Sequence, residues 1–224
     1  MSDKTKYVAV GDIHGCARTL EALLKHLEIY SDRIFVFVGD YIDRGPDSKS
    51  VVDQLISYSE KYNCVMLQGN HEFMMLDALF NNNYAGWEIN GGQATINSYR
   101  DEKGEAYIPE DHMDFFKNTK PFYDTTDYFF VHAGLNPDMT ISESIADPEQ
   151  IEHFIWERSH LHALHNKWEK TVVFGHTPRP EPITGSNMIG IDTGCVYSRR
   201  RGMGNLTAVL LPEVTFIQQE SLDT

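Results

Sequence analysis

Three segments of the same build fill the first seventy residues and constrain the fold more than any other feature. Tyr7-Val8-Ala9-Val10 runs into Gly11-Asp12-Ile13-His14-Gly15, Ile34-Phe35-Val36-Phe37-Val38 into Gly39-Asp40-Tyr41-Ile42-Asp43-Arg44-Gly45, and Cys64-Val65-Met66-Leu67 is followed by Gly69-Asn70-His71-Glu72. Each short apolar run reads as a buried strand that empties into a glycine-opened loop of acids, amides and imidazoles. Between the first two, Leu20, Leu23, Leu24 and Leu27 mark an amphipathic helix from about Arg18 to Tyr30. A second helix starts near Pro46-Asp47-Ser48 and turns Val51, Val52, Leu55 and Ile56 inward. Asp12 and Asp40 are 28 positions apart and Asp40 and Asn70 are 30 apart, the length of a βαβ unit. Right-handed crossovers then make the strands parallel and bring their loops to one edge, where α/β folds carry their chemistry.

From Phe73 to about Thr126 the pattern turns irregular and helical. Phe73–Phe80 reads as a helix, Trp87–Arg100 contains Asn90-Gly91-Gly92, which reads as a turn or break and a candidate cleft wall, and Pro109–Asn118 reads as a short helix. No Ser/Pro/Gly-rich linker sets this stretch apart, so residues 1–224 are expected to form a single domain with a helical cap at about 73–126. Strands return at Tyr128–Val131, Thr171–Phe174 and Met188–Ile191, leading into His132-Ala133-Gly134, Gly175-His176-Thr177 and Asp192-Thr193-Gly194. Leu206–Leu211 and Val214–Gln218, split by Pro212-Glu213, read as a closing hairpin.

With 224 residues, 41% of them hydrophobic, the chain can bury a core without disulfides. Its three cysteines are odd in number and form no CxxC, which fits reduced thiols and a cytoplasmic location. Cys16 reads as a small packing residue. The charged start has only four apolar residues before Gly11, so no signal peptide is expected, and no apolar run reaches membrane-span length. The formal charge of −14, from 33 acids against 19 Lys plus Arg, repels nucleic-acid backbones. No nucleic acid or membrane partner is expected, and a monomer is the default.

The polar residues that end the strands are Asp12, His14, Asp40, Asn70, His132 and His176. Two carboxylates, an amide oxygen and three imidazoles suit Mn, Fe or Zn better than Ca. Six ligands exceed the needs of one ion that keeps a position for water, and serve two if one carboxylate bridges. Two ions roughly 3.5–4 Å apart can hold a hydroxide at neutral pH and clamp a phosphoryl group for in-line attack. His71 adjoins Asn70 and is free to protonate a leaving group, with Asp43 orienting it, and Arg44 offers a permanently charged fork for phosphate oxygens.

In this order and spacing, GDIHG, GDYIDRG, GNHE, HAG and GHT resemble the phosphoprotein phosphatase family of binuclear metallophosphoesterases, in its compact bacterial and phage branch related to lambda phosphatase. Trp87-Glu-Ile-Asn90-Gly91-Gly92-Gln-Ala-Thr95, Trp156-Glu157-Arg158 and Ile191-Asp192-Thr193-Gly194 extend the match to residues 7–211. The resemblance implies a four-layer α-β-β-α sandwich with two mixed sheets. It makes Asp12 and His14 ligands of one metal, Asp40 the bridge, and Asn70, His132 and His176 ligands of the other. Arg44 and Arg158, with Asn70, would contact the phosphate, and His71 with Asp43 would form the acid pair. Two divalent ions are implied, Mn first, with Fe or Zn as alternatives.

The expected activity is that of a metal-dependent serine/threonine protein phosphatase, with dual specificity as the alternative, acting on phosphorylated proteins or peptides. A diadenosine tetraphosphate hydrolase shares the fold and most motifs. Such enzymes typically carry Ala at the position of Asp43 and Asp at that of Glu72, and the shorter chain also favours the protein phosphatase. A non-catalytic binding module is disfavoured because every predicted ligand is intact. Taken singly, Asn70 also reads as a helix N-cap, Arg158 as a surface ion pair with Glu157 or Glu152, and His160, His162 and His165 as solvated. Arg199-Arg200-Arg201 divides between a solvated run and a recruiter of acidic or multiply phosphorylated substrates.

Overall fold

The computed structural model describes residues 5–223; the charged residues 1–4 and Thr224 lie outside it. Strand β1 (Tyr7–Val10), helix α1 (Ala17–Leu27), β2 (Ile34–Phe37), α2 (Ser48–Ser59), β3 (Cys64–Met66) and α3 (Asn70–Asn81) follow the expected βαβ order. Helices α4 (Tyr84–Ile89), α5 (Gly92–Ser98) and α6 (Glu110–Lys117) come next. The second half comprises β4 (Phe122–Asp124), β5 (Tyr128–Val131), α7 (Ile141–Ala146), α8 (Pro148–His153), β6 (Thr171–Phe174), β7 (Ile183–Gly185), β8 (Met188–Gly190), β9 (Asn205–Leu211) and β10 (Thr215–Glu220).

The strands form two five-stranded sheets, ordered β10-β9-β1-β2-β3 and β4-β5-β6-β8-β7. In the first, β1 pairs parallel with β2, Tyr7 opposite Ile34, and antiparallel with β9, Tyr7 opposite Leu211. In the second, β5, β6 and β8 run parallel between the antiparallel edges β4 and β7. Both sheets are mixed, as the resemblance implied.

Strand alternation explains the layers, because successive side chains point to opposite faces. Tyr7, Ala9, Val36 and Val38 meet Phe130, Val173 and Ile189 of the other sheet in one buried cluster. Their neighbours Val8, Val10, Phe35 and Phe37 face the other way, onto Leu20 and Leu23 of α1, Val51 and Leu55 of α2, and Met75 of α3. Phe129, Val131, Val172 and Phe174 cover the outer face of the second sheet with Ile141, Phe154 and Trp168. Strands buried on both faces read as unbroken apolar runs, which is how β1 and β2 look in the sequence. Helices α5 and α6 pack on α2, which adds them to the helical layer over the first sheet.

No helix among the described residues is long and apolar enough to cross a membrane. His160, expected in solvent, is buried against Trp168 and Phe174, and a Cβ on Gly134 would fall 2.2 Å from its ring. Neither ring nitrogen has a partner, and burial lowers this imidazole to about 4. The unfolded chain takes up the proton below the ordinary histidine value of about 6.5 while the folded chain resists until about 4. His160 therefore withdraws stability as pH falls through that window. A His160→Leu variant is expected to have a shallower loss of stability over it, by up to about 1.4 kcal/mol per pH unit, read from urea midpoints at several pH values. Parallel profiles would show that the ring does not titrate as argued.

Candidate metal centre

The loops that follow β1, β2, β3, β5 and β6 converge on one cluster, and the backbone there is strained. His14, Asp40, Asp43, Arg44 and His176 have φ of 49, 53, 72, 67 and 67°, a region that costs a non-glycine residue about 1–3 kcal/mol and persists only when neighbours enforce it. Glu72 holds Asp40 in it. Its buried carboxylate accepts the backbone N–H groups of Asp40, Tyr41 and Gly69 at 2.8–3.0 Å, tying the loop after β2 to the start of α3. Burial, with Asp40 nearby, raises the Glu72 carboxyl to about 7. Because Glu72 captures the Gly69 N–H, α3 begins at Asn70 rather than Phe73, with Gly69 as its N-cap. Asn70 therefore lies in the first helical turn and does not cap it.

Asp40 is at the middle of the cluster. Its Oδ2 lies 3.5 Å from His14 Nε2 and 4.0 Å from His71 Nε2, while Oδ1 lies 3.4 Å from His132 Nε2. Two groups able to hold a cation result, His14–Asp40–His71 and Asp40–His132–His176, both buried and sharing Asp40. Asn70 Oδ1 adds a donor to the second, 3.0 Å from His132 Nε2 and 2.8 Å from His176 Nδ1. Asp12 is in neither group; both its oxygens accept the His176 backbone N–H at 3.0–3.1 Å.

The chemistry of this donor set fits divalent ions. His14 Nδ1 is 2.9 Å from the Ile42 carbonyl and His132 Nδ1 is 2.9 Å from that of Val38. A carbonyl only accepts, so each Nδ1 carries a proton and each Nε2 is the nitrogen left to face the cluster. His132 Nε2 and His176 Nδ1 are 3.2 Å apart, and His71 Nε2 and His176 Nε2 are buried without partners. Burial favours the neutral imidazole of His132, but Asp40 outweighs it and draws the ring up to about 9. Burial and the charge of His132 hold His176 down at about 2. Burial favours protonated Asp40, yet His132 and His71 keep it well below the usual carboxylate range. A cation can replace the proton on His132, which is the usual competition at imidazole ligands.

His71 is held from behind. Its Nδ1 is 2.6 Å from Asp43 Oδ2, and Asp43 also accepts Trp87 Nε1–H at 2.9 Å and the Thr95 hydroxyl at 2.6 Å. The Asn90-Gly91-Gly92 segment breaks α4 from α5 and shapes this wall. Gly91, at φ 102°, packs on Arg44, and a Cβ on Gly92 would lie 2.7 Å from the Trp87 indole. Arg44 Nη1 is 2.6 Å from His14 Nε2. Arg158 is exposed, pairs with no carboxylate among the described residues, and is near enough for its charge to act on His176.

Sequence reasoning gave no role to Trp87, Thr95 or Asp192. Asp192 is buried, is raised to about 6 chiefly by that burial, and in turn helps burial raise Asp12. It ends β8 as the chosen residues end theirs, and that position was the available clue.

The family model for calcineurin-like phosphoesterases matches residues 5–203. The chain belongs to that family. As a calcineurin-like phosphoesterase it is a metal-dependent phosphoester hydrolase whose His and Asp groups suit two divalent ions. It is 29% identical to the asymmetrical bis(5'-nucleosyl)-tetraphosphatase PrpE of Anoxybacillus flavithermus, over 96% of this chain and 94% of that one. It is also 29% identical to serine/threonine-protein phosphatase 1 of Salmonella typhimurium, over 84% of this chain and 86% of that one. A solved structure of a candidate diadenosine tetraphosphatase shares the fold, with a TM-score of 0.72 at 23% identity, covering 100% of this chain and 97% of that one.

The similarity to asymmetrical tetraphosphatases over nearly the whole of both chains overturns the expected serine/threonine protein phosphatase and its phosphoprotein substrates. The reading rested on Asp43, on Glu72 and on chain length. Length does not discriminate, since the tetraphosphatase is matched over nearly its whole extent. Glu72 binds backbone N–H groups, and Asp43 binds His71, Trp87 and Thr95. Both side chains are fully buried behind the site, so neither touches the group attached to the phosphate.

Proposed function

We propose that this phosphoesterase hydrolyses bis(5'-nucleosyl) tetraphosphates asymmetrically, to a nucleoside monophosphate and a nucleoside triphosphate. The observation that carries the reading is the end-to-end similarity to the asymmetrical tetraphosphatase of A. flavithermus. Asp12, His14 and Asp40 are assigned to one ion and Asp40, Asn70, His132 and His176 to the other, with Mn as first choice and Fe or Zn as alternatives. When bound, the ions supply Lewis acidity and lower the pKa of water. Arg44 and Arg158 orient the phosphate under attack, with Asn70 beside it. As the P–O bond breaks, His71 Nε2 gives its proton to the leaving phosphate oxygen. Asp43, 2.6 Å from Nδ1, keeps the ring turned that way.

The test is hydrolysis of diadenosine tetraphosphate with Mn and with chelator, products separated by ion exchange. AMP and ATP in equal amounts, lost with chelator, are expected. Two ADP would remove the asymmetrical assignment. An enzyme that turned over p-nitrophenyl phosphate but left the dinucleotide intact would overturn the substrate altogether.

A further inference from the structure

Next to the metal centre is a pocket of about 330 Å³ with a basic wall, on a chain whose net charge is −14. Arg44, Tyr197, Arg199 and Arg200 line it. The Arg44 guanidinium carbon is 5.7 Å from the Tyr197 ring centroid and that of Arg200 is 4.3 Å from it, so one ring attracts two cations that repel each other. None of these three arginines pairs with a carboxylate among the described residues. Asp223 also borders the pocket, but its oxygens accept the N–H groups of Arg18 and Thr19 and the Thr19 hydroxyl at the start of α1. Three guanidinium groups therefore stand against one carboxylate, itself turned to α1, and the pocket keeps an excess of positive charge. Arg201 is different. Like Arg199 and Arg200 it is exposed, but it does not line the pocket.

Arg44 joins the two places. Its Nη1 is 2.6 Å from His14 Nε2 in the metal centre, while its guanidinium also borders the pocket beside Tyr197. A phosphate held at the centre and the next phosphate of the same chain would thus meet one guanidinium, with Arg199 and Arg200 beyond it. A monoester has nothing to place there. A tetraphosphate attacked at one phosphorus has three further phosphates, each anionic, and planar guanidinium forks match their oxygens.

We propose that this pocket is the subsite for the phosphates beyond the one attacked, with Arg199 and Arg200 as its specificity-determining residues and Tyr197 positioning Arg44 and Arg200. The proposal rests on the tetraphosphatase reading and gives that reading its selectivity for polyphosphates over monoesters.

The experiment compares the parent with Arg199→Glu/Arg200→Glu, with the milder Arg200→Gln, and with Arg201→Glu as control. Each is assayed on diadenosine tetraphosphate and on p-nitrophenyl phosphate, and inorganic tripolyphosphate is titrated as an inhibitor of the second reaction. The double variant is expected to lower the ratio of kcat/KM for the dinucleotide over that for the monoester by at least about tenfold, mainly through KM. Tripolyphosphate inhibition should weaken by a similar factor, with Arg200→Gln intermediate and Arg201→Glu near the parent. An unchanged ratio with unchanged tripolyphosphate inhibition overturns the subsite. An equal loss in Arg201→Glu also overturns it, since a diffuse field would then suffice. If the parent cleaves no dinucleotide, the substrate reading fails, and tripolyphosphate inhibition of monoester hydrolysis still decides the pocket.

Discussion

Asp40→Asn is expected to lower hydrolysis of every phosphate ester at least about a thousandfold and to bring the divalent metal content below two ions per chain. Among the described residues Asp40 alone belongs to both cation-binding groups, its Oδ2 facing His14 and its Oδ1 facing His132. An amide has one acceptor oxygen, so it can serve one side and turns an NH2 donor toward the other. It also removes the charge that holds a proton or a cation on His132. The backbone should survive, because the remaining oxygen can still accept the His71 N–H now 3.1 Å from Oδ1, and the loop is anchored separately by Glu72. Metal analysis by plasma mass spectrometry on the purified variant, with the steady-state rate, checks the expectation. A variant that kept two ions and half its activity would show that Asp40 is not the shared ligand.

What the sequence could say follows from where each feature gets its order. Tyr7–Val10 and Ile34–Phe37 are legible because both faces are buried and the runs are unbroken. That same property hides which layer each face meets, so the pairing of two sheets came from resemblance and not from periodicity. Phe122–Asp124 and Ile183–Gly185 were missed because they are three-residue edge strands, partly exposed and too short to show a period. Asp40, Asn70, His132 and His176 were legible as strand-end polar residues, since a buried polar group at such a position has few other reasons to exist. Glu72 was misjudged as a mark of substrate because its partners are backbone N–H groups 3 to 32 residues away, which no side-chain pattern reveals. The basic pocket has the same origin, since Arg44 and Arg199 meet only through the fold.

His71→Asn is expected to reduce kcat by about 10²–10⁴ with little change in metal content, and the loss should depend on the leaving group. His71 Nδ1 is taken by Asp43 and Nε2 is buried without a protein partner, so its one free nitrogen can serve the reaction rather than the scaffold. A proton donor matters most where the departing oxygen is strongly basic. The variant should therefore lose more on phenyl phosphate than on p-nitrophenyl phosphate, whose leaving group departs readily without a proton. Equal losses on the two would move His71 from proton transfer to metal binding, a role its membership in the His14–Asp40–His71 group allows. Trp87→Phe separates these roles further, since it removes the indole N–H that lies 2.9 Å from both Asp43 oxygens and leaves the metal groups untouched. If Asp43 works by aiming the ring, this variant should reproduce the leaving-group dependence at about tenfold lower kcat, with the divalent-metal requirement of the parent.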